Sequence, residues 1–87
     1  MSMRESDRER EAWLAAIGRA VRARREELGI SQEKLGYRAG FHRTYVSDLE
    51  RGQRNATAWT LRCLAAELGV TASGILAAAE EEMGTEG

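Results

Sequence analysis

Apolar residues recur along this chain at helical spacing, in short bursts that each close on a glycine. Leu14, Ile17, Val21 and Leu28 share one side of a first helix, and Gly29 follows as a stop. Ser6-Asp7-Arg8-Glu9 has the form of a capping box, so the pattern predicts helix over about 7–28. Ser31 is placed to cap a second helix over 32–39, which Gly40 ends. A third helix over 43–51 turns Val46 and Leu49 inward and stops at Gly52, before a polar loop of Gln53, Arg54, Asn55 and Ala56. Thr57 caps a fourth over 58–68, with Leu61, Leu64, Ala65 and Leu68 on one face and Gly69 behind it. Thr71 caps a fifth that carries Ile75, Leu76 and Ala79. No alternating pattern of the kind a strand needs interrupts this order, and the fold class it predicts is all-α.

The expected core is Leu14, Ile17, Val21, Leu28, Leu35, Val46, Leu49, Leu61, Leu64, Leu68 and Ile75. Residues 1–13 form a polar extension that continues into the first helix, 14–80 form the domain, and 81–87 are an acidic tail expected to be disordered. Glu80, Glu81 and Glu82 fall at a helix C-terminus, where the helix dipole disfavours negative charge, and fraying is expected there. Trp13 precedes the apolar stripe and is free to pack on another element or on a second subunit. Arg19, Arg22 and Arg25 read as a solvated face.

Composition bounds the function. A chain of 87 residues holds one modest core, which dimerisation would help to stabilise. Its single cysteine, Cys63, excludes an intrachain disulfide, and the spacing places it beside Leu61 and Leu64 as an inert core thiol. No apolar run approaches a membrane span and the N-terminus has no signal-peptide core, so a cytoplasmic protein is expected. One histidine and one cysteine, 21 positions apart, supply neither a catalytic constellation nor a zinc site, and no glycine-rich phosphate loop occurs. An enzyme is not expected, nor a cofactor or metal. The net charge of −1 hides a strong segregation: −1 over residues 1–18, +5 over 19–62 and −5 over 63–87. The basic block coincides with the second and third helices, which favours a nucleic-acid partner.

Within that block, SQEKLGYRAGFHRTYVSDLE (31–50) is two short helices joined by a tight turn. The third helix opens on His42, Arg43, Thr44 and Tyr45, and its outer face shows Arg43, Thr44 and Ser47, groups suited to base edges and phosphates. Together with LGISQEKLGYRAG before it, ERG after it and LAAELGV near the end, the stretch resembles the helix-turn-helix of the phage repressor and Cro-like (XRE) transcription factors, over about residues 14–80. HRTYVSDLERGQRN is similar, more narrowly, to the controller proteins of restriction–modification systems.

The resemblance implies a five-helix, lambda-repressor-like domain that binds double-stranded DNA as a homodimer on an inverted repeat. It places Gln32 on a phosphate and Arg43, Thr44 and Ser47 in the major groove. Arg54 and Asn55 would then hold the far phosphate or reach the groove. Tyr45 lies either beside the DNA backbone or against the second helix. His42 caps the third helix or touches phosphate, and Glu50 is structural, paired with Arg38 or an exposed amide. Asp48 is an awkward acid on such a helix. The dimer interface is expected at Ile75, Leu76 and Ala79, with Gly74 allowing close approach. RNA polymerase is a further candidate partner. The competing reading is a protein-interaction module such as an antitoxin, with DNA binding secondary or absent.

Overall fold

The computed structural model describes residues 3–84, and these form five α-helices: α1 (Met3–Glu27), α2 (Gln32–Ala39), α3 (Arg43–Glu50), α4 (Ala58–Leu68) and α5 (Ala72–Gly84). Among the described residues there is no strand. The inner helices begin and end where their caps stand. Ser31 accepts from the Lys34 amide at 3.0 Å, Thr57 from the Thr60 amide at 3.1 Å and Thr71 from the Gly74 amide at 2.9 Å. Gly40 and Gly69 close α2 and α4 in the left-handed conformation. Each cap occupies a donor or acceptor that the helix end leaves unbonded.

The outer ends depart from expectation. Helix α1 starts at Met3, so Ser6 lies about one turn inside it and does not cap it. Arginine and glutamate favour helix and pair across a turn, which carries the helix upstream of the local capping signal. Helix α5 runs through Glu80–Glu82 to Gly84, and Met83, expected in the tail, is half-buried against the core. Arg19 on α1 makes an ion pair with Glu82, which offsets the unfavourable dipole and ties the two helices together. The remaining tail residues, 85–87, lie outside the described residues.

Helices α1, α4 and α5 enclose most of the core, and α2 and α3 pack beneath as a pair. Buried apolar residues are Ala16, Ile17, Val21, Leu35, Val46, Leu49, Leu61, Leu64, Ala65, Leu68, Ile75 and Ala79. Two expected members differ. Leu14 is only half-buried, and Leu28 is 43% exposed. After Glu27 the chain makes a Schellman turn, the Ile30 amide reaching the Arg25 carbonyl (3.3 Å) and the Gly29 amide that of Glu26 (3.0 Å). That turn folds Ile30 back against the core and leaves Leu28 outside. Trp13 packs on the protomer's own core, whereas Cys63 is half-buried outside the core cluster.

One contact fixes how α1 meets α3. A β-carbon on Gly18 would stand 2.4 Å from the Glu50 carbonyl oxygen and 2.5 Å from that of Leu49, so the α1 backbone lies directly on the last turn of α3. Among the described residues no single helix is long and apolar enough to cross a membrane. None of their His, Cys, Asp and Glu side chains form a cluster that could hold a metal ion.

Candidate nucleic-acid interface

The helix pair α2–α3 is built around small residues. Gly36 of α2 faces the turn so closely that a β-carbon there would meet the Phe41 carbonyl oxygen at 2.6 Å. Gly40 and Phe41 both return their amides to the Gly36 carbonyl, each at 2.8 Å, which closes the turn. Helix α3 then opens with His42 as its cap: Nδ1 accepts from the Thr44 amide at 3.0 Å, which leaves the neutral ring's proton on Nε2. The expectation that His42 caps α3 is therefore met, and the outward side of its exposed ring remains available.

Arg43 and Thr44 are exposed at the start of α3, and Ser47 is half-buried one turn later on the same side. None of the three side chains has a hydrogen bond or ion pair to a described residue. Val46 and Leu49, buried on the opposite side, fix the helix against the core. The exposed face thus offers a guanidinium and two hydroxyls with unused bonding capacity, from a helix held rigidly behind them.

The end of α3 is anchored by a buried ionic cluster. Arg25 of α1 donates to both carboxylate oxygens of Glu50, Nε at 2.7 Å and Nη2 at 3.0 Å. Its Nη1 donates to the Ile30 carbonyl at 2.9 Å, and Gln32 Nε2 donates to Glu50 at 2.9 Å. The Glu50 side chain is 2% exposed and that of Arg25 11%. The hydrogen bond to Glu50 raises the Arg25 pKa above its ordinary value, against the opposite effect of burial. Two expectations change here. The partner of Glu50 is Arg25, not Arg38, so Arg25 is not part of a solvated face. Gln32, expected on a phosphate, directs its amide nitrogen into the protein. Arg22 keeps an exposed pairing with Glu26 on its own helix.

Other side chains of α3 and the loop after it also find partners. Tyr45 stacks on Phe41 of the turn, with ring centroids 5.2 Å apart and an angle of 21°. Its hydroxyl donates to Thr60 Oγ1 on α4 at 3.4 Å. The Arg54 guanidinium carbon also lies over the Tyr45 ring, 5.4 Å from its centroid. Asp48 pairs with Arg51 through Oδ1 at 2.5 Å and with Arg54 through Oδ2 at 3.5 Å. Asn55 is exposed. Of the residues expected at an interface, the structure brings together Arg43, Thr44 and Ser47 on one helix face, and Tyr45 with Arg54 beside it. Ile75 and Ala79, expected at a dimer interface, are 3% and 1% exposed and belong to the protomer's own core, while Leu76 is half-buried at its edge. A stripe of apolar residues on α5 cannot by its spacing tell one use from the other.

A short capped helix, a turn built on glycine and a second helix with a polar outer face together define a helix-turn-helix DNA-binding module. The model of the helix-turn-helix family matches residues 21–75, and the chain belongs to this XRE-type family of transcriptional regulators, which are not enzymes. It is 40% identical over 61 residues to the control protein C.BamHI of Bacillus amyloliquefaciens, an alignment covering 69% of this chain and 75% of that one. It is 51% identical over 47 residues to the uncharacterized HTH-type transcriptional regulator y4dJ of Sinorhizobium fredii, covering 54% of this chain and 61% of the relative. Among solved structures, the restriction-modification controller protein C.AhdI from Aeromonas hydrophila superposes with a TM-score of 0.69 at 35% identity, over 71% of this chain and 90% of that one.

Proposed function

We propose that the protein regulates transcription as a homodimer that binds an inverted repeat in double-stranded DNA, in the manner of a restriction–modification controller. The observation that carries this reading is the free outer face of α3, where Arg43, Thr44 and Ser47 have no partner among the described residues. Similarity to controller proteins over most of the chain supports it. Arg43 reads guanine through O6 and N7, Thr44 meets a thymine methyl or a phosphate, and Ser47 bonds either base type. Arg54, Tyr45 and Asn55 hold the DNA backbone, and His42 adds a phosphate contact from its outward edge. Gln32 contributes indirectly, through Glu50.

One recognition helix covers too little surface for tight specific binding, which is the reason for a second copy. With Ile75 and Ala79 committed to the core, the interface falls on Leu76 and on the exposed Ala77 and Ala78 beside it. Selection of bound sequences from random duplex DNA tests the reading. An enriched palindrome is expected, with one base pair of each arm relaxed by Arg43→Ala. Absence of any enrichment at low salt would rule it out in favour of a protein-interaction module.

A further inference from the structure

An acid on a DNA-reading helix ordinarily weakens binding, because it repels the phosphates that the neighbouring basic residues attract. Asp48 is such an acid, yet its side chain is only 20% exposed and both of its carboxylate oxygens are engaged by arginines. The geometry at Arg54 is specific. Asp48 approaches it at Nε, the inner edge of the guanidinium. The guanidinium carbon stands over the Tyr45 ring, and Tyr45 is itself fixed by stacking on Phe41 and by its hydroxyl on Thr60. Thr60 in turn bonds Thr57, the cap of α4, at 3.0 Å. The Gln53 amide reaches the Asp48 carbonyl at 2.8 Å, which holds the loop just before Arg54. Neither terminal nitrogen of Arg54 donates to a described residue, and the side chain remains 52% exposed. An arginine on an irregular loop thus has an acid beside its inner edge and an aromatic ring beneath it, and its outer edge is left free.

We propose that Asp48 is a positioning residue: it fixes Arg54 against Tyr45 with its terminal nitrogens presented to the DNA backbone, and so strengthens binding despite its own negative charge. This rests on the DNA-binding reading above and extends it. Arg54 grips a phosphate without first losing the freedom of a long side chain, a loss that would otherwise fall at the moment of binding.

The test follows from the sign of the effect. Affinity of the full chain for a mixed-sequence duplex, and for the duplex selected above, is measured across a salt series for Asp48→Asn, Arg54→Ala and the double variant, with thermal melting alongside. Positioning predicts that Asp48→Asn weakens binding about three- to tenfold, the range expected for ordering one long side chain on binding. It predicts a shallower salt slope, by up to about one ion, and no further loss when Asp48→Asn is added to Arg54→Ala. Arg54→Lys keeps the charge but not the planar group, and it should lose affinity as Asp48→Asn does while the fold is untouched. Equal or tighter binding by Asp48→Asn would overturn the proposal, as simple charge removal would then explain it. An equal loss in the Arg54→Ala background would also overturn it, since Asp48 would then act through another group. If the unaltered protein bound neither duplex, the DNA-binding reading would fall, and this proposal with it.

Discussion

Gly18 and Arg25 show how much a single position in the middle of a helix can decide. Alanine is the better helix former by about 1 kcal/mol, so an exposed Gly→Ala change within a helix ordinarily stabilises. At Gly18 the added methyl would meet two backbone carbonyls of α3. Gly18→Ala should therefore destabilise by about 1–3 kcal/mol, the usual cost of overpacking, and denaturant unfolding would show it. A gain in stability would mean that α1 and α3 can separate without cost. Arg25 is the second case. Removing one member of a buried ion pair costs about 3–5 kcal/mol, so Arg25→Ala should unfold the protein far more readily than Arg22→Ala, whose pair is exposed. A double-mutant cycle with Glu50→Gln separates the coupling of the pair from lost packing. Neither residue was legible in the sequence. Gly18 sits amid a helical pattern with nothing to mark a close neighbour, and Arg25 shares its spacing with the solvated Arg22. The partners of both lie on α3, remote in sequence, and local periodicity carries no information about them.

Element boundaries were readable where both ends carry a cap. Helices α2 and α4 run over the expected residues because Ser31 and Thr57 accept the first free amides, while Gly40 and Gly69 provide the left-handed exits. The outer ends of α1 and α5 were not readable in this way: helix propensity carries α1 upstream of its capping signal, and a tertiary ion pair, not a cap, holds the end of α5. At Glu82 the consequence is a dependence on pH. The hydrogen bond from Arg19 is the main cause that lowers the Glu82 pKa below its ordinary 4.5. A depressed carboxyl contributes its stabilisation above the unfolded value, and that contribution is lost as pH falls through the lowered folded value. Protection of the amides in the C-terminal turns of α5, taken relative to their intrinsic exchange rates, should accordingly fall on acidification into that range. Arg19→Ala should lower that protection already at neutral pH and blunt its response to acid. An unchanged exchange profile in Arg19→Ala would show that this end is held without the Arg19 pairing.

On the scale of the whole molecule, the arrangement of helices was legible because the helix-turn-helix and its flanking glycines are sequence-local features. The surface on which the proposed dimer would pair was not: the same stripe of Ile75, Leu76 and Ala79 serves equally well as an interface or as the inside of a single chain, and the fold uses two of the three inside. Leu76→Asp should then shift the protein toward monomer in sedimentation and weaken operator binding, with the helical content kept. A dimer that persists unaltered would move the interface away from α5. The buried junction of Arg25, Gln32 and Glu50 carries a last consequence for how sequence is discriminated. Helix α3 has only eight residues, bonded at its start through His42 and bound at its finish to α1 and α2. In the proposed complex such a helix would act as a stiff reading head, with little freedom to accommodate a wrong base. A mismatched operator should still be met at nearly the same rate, because encounter depends on charge, but it should be released much sooner.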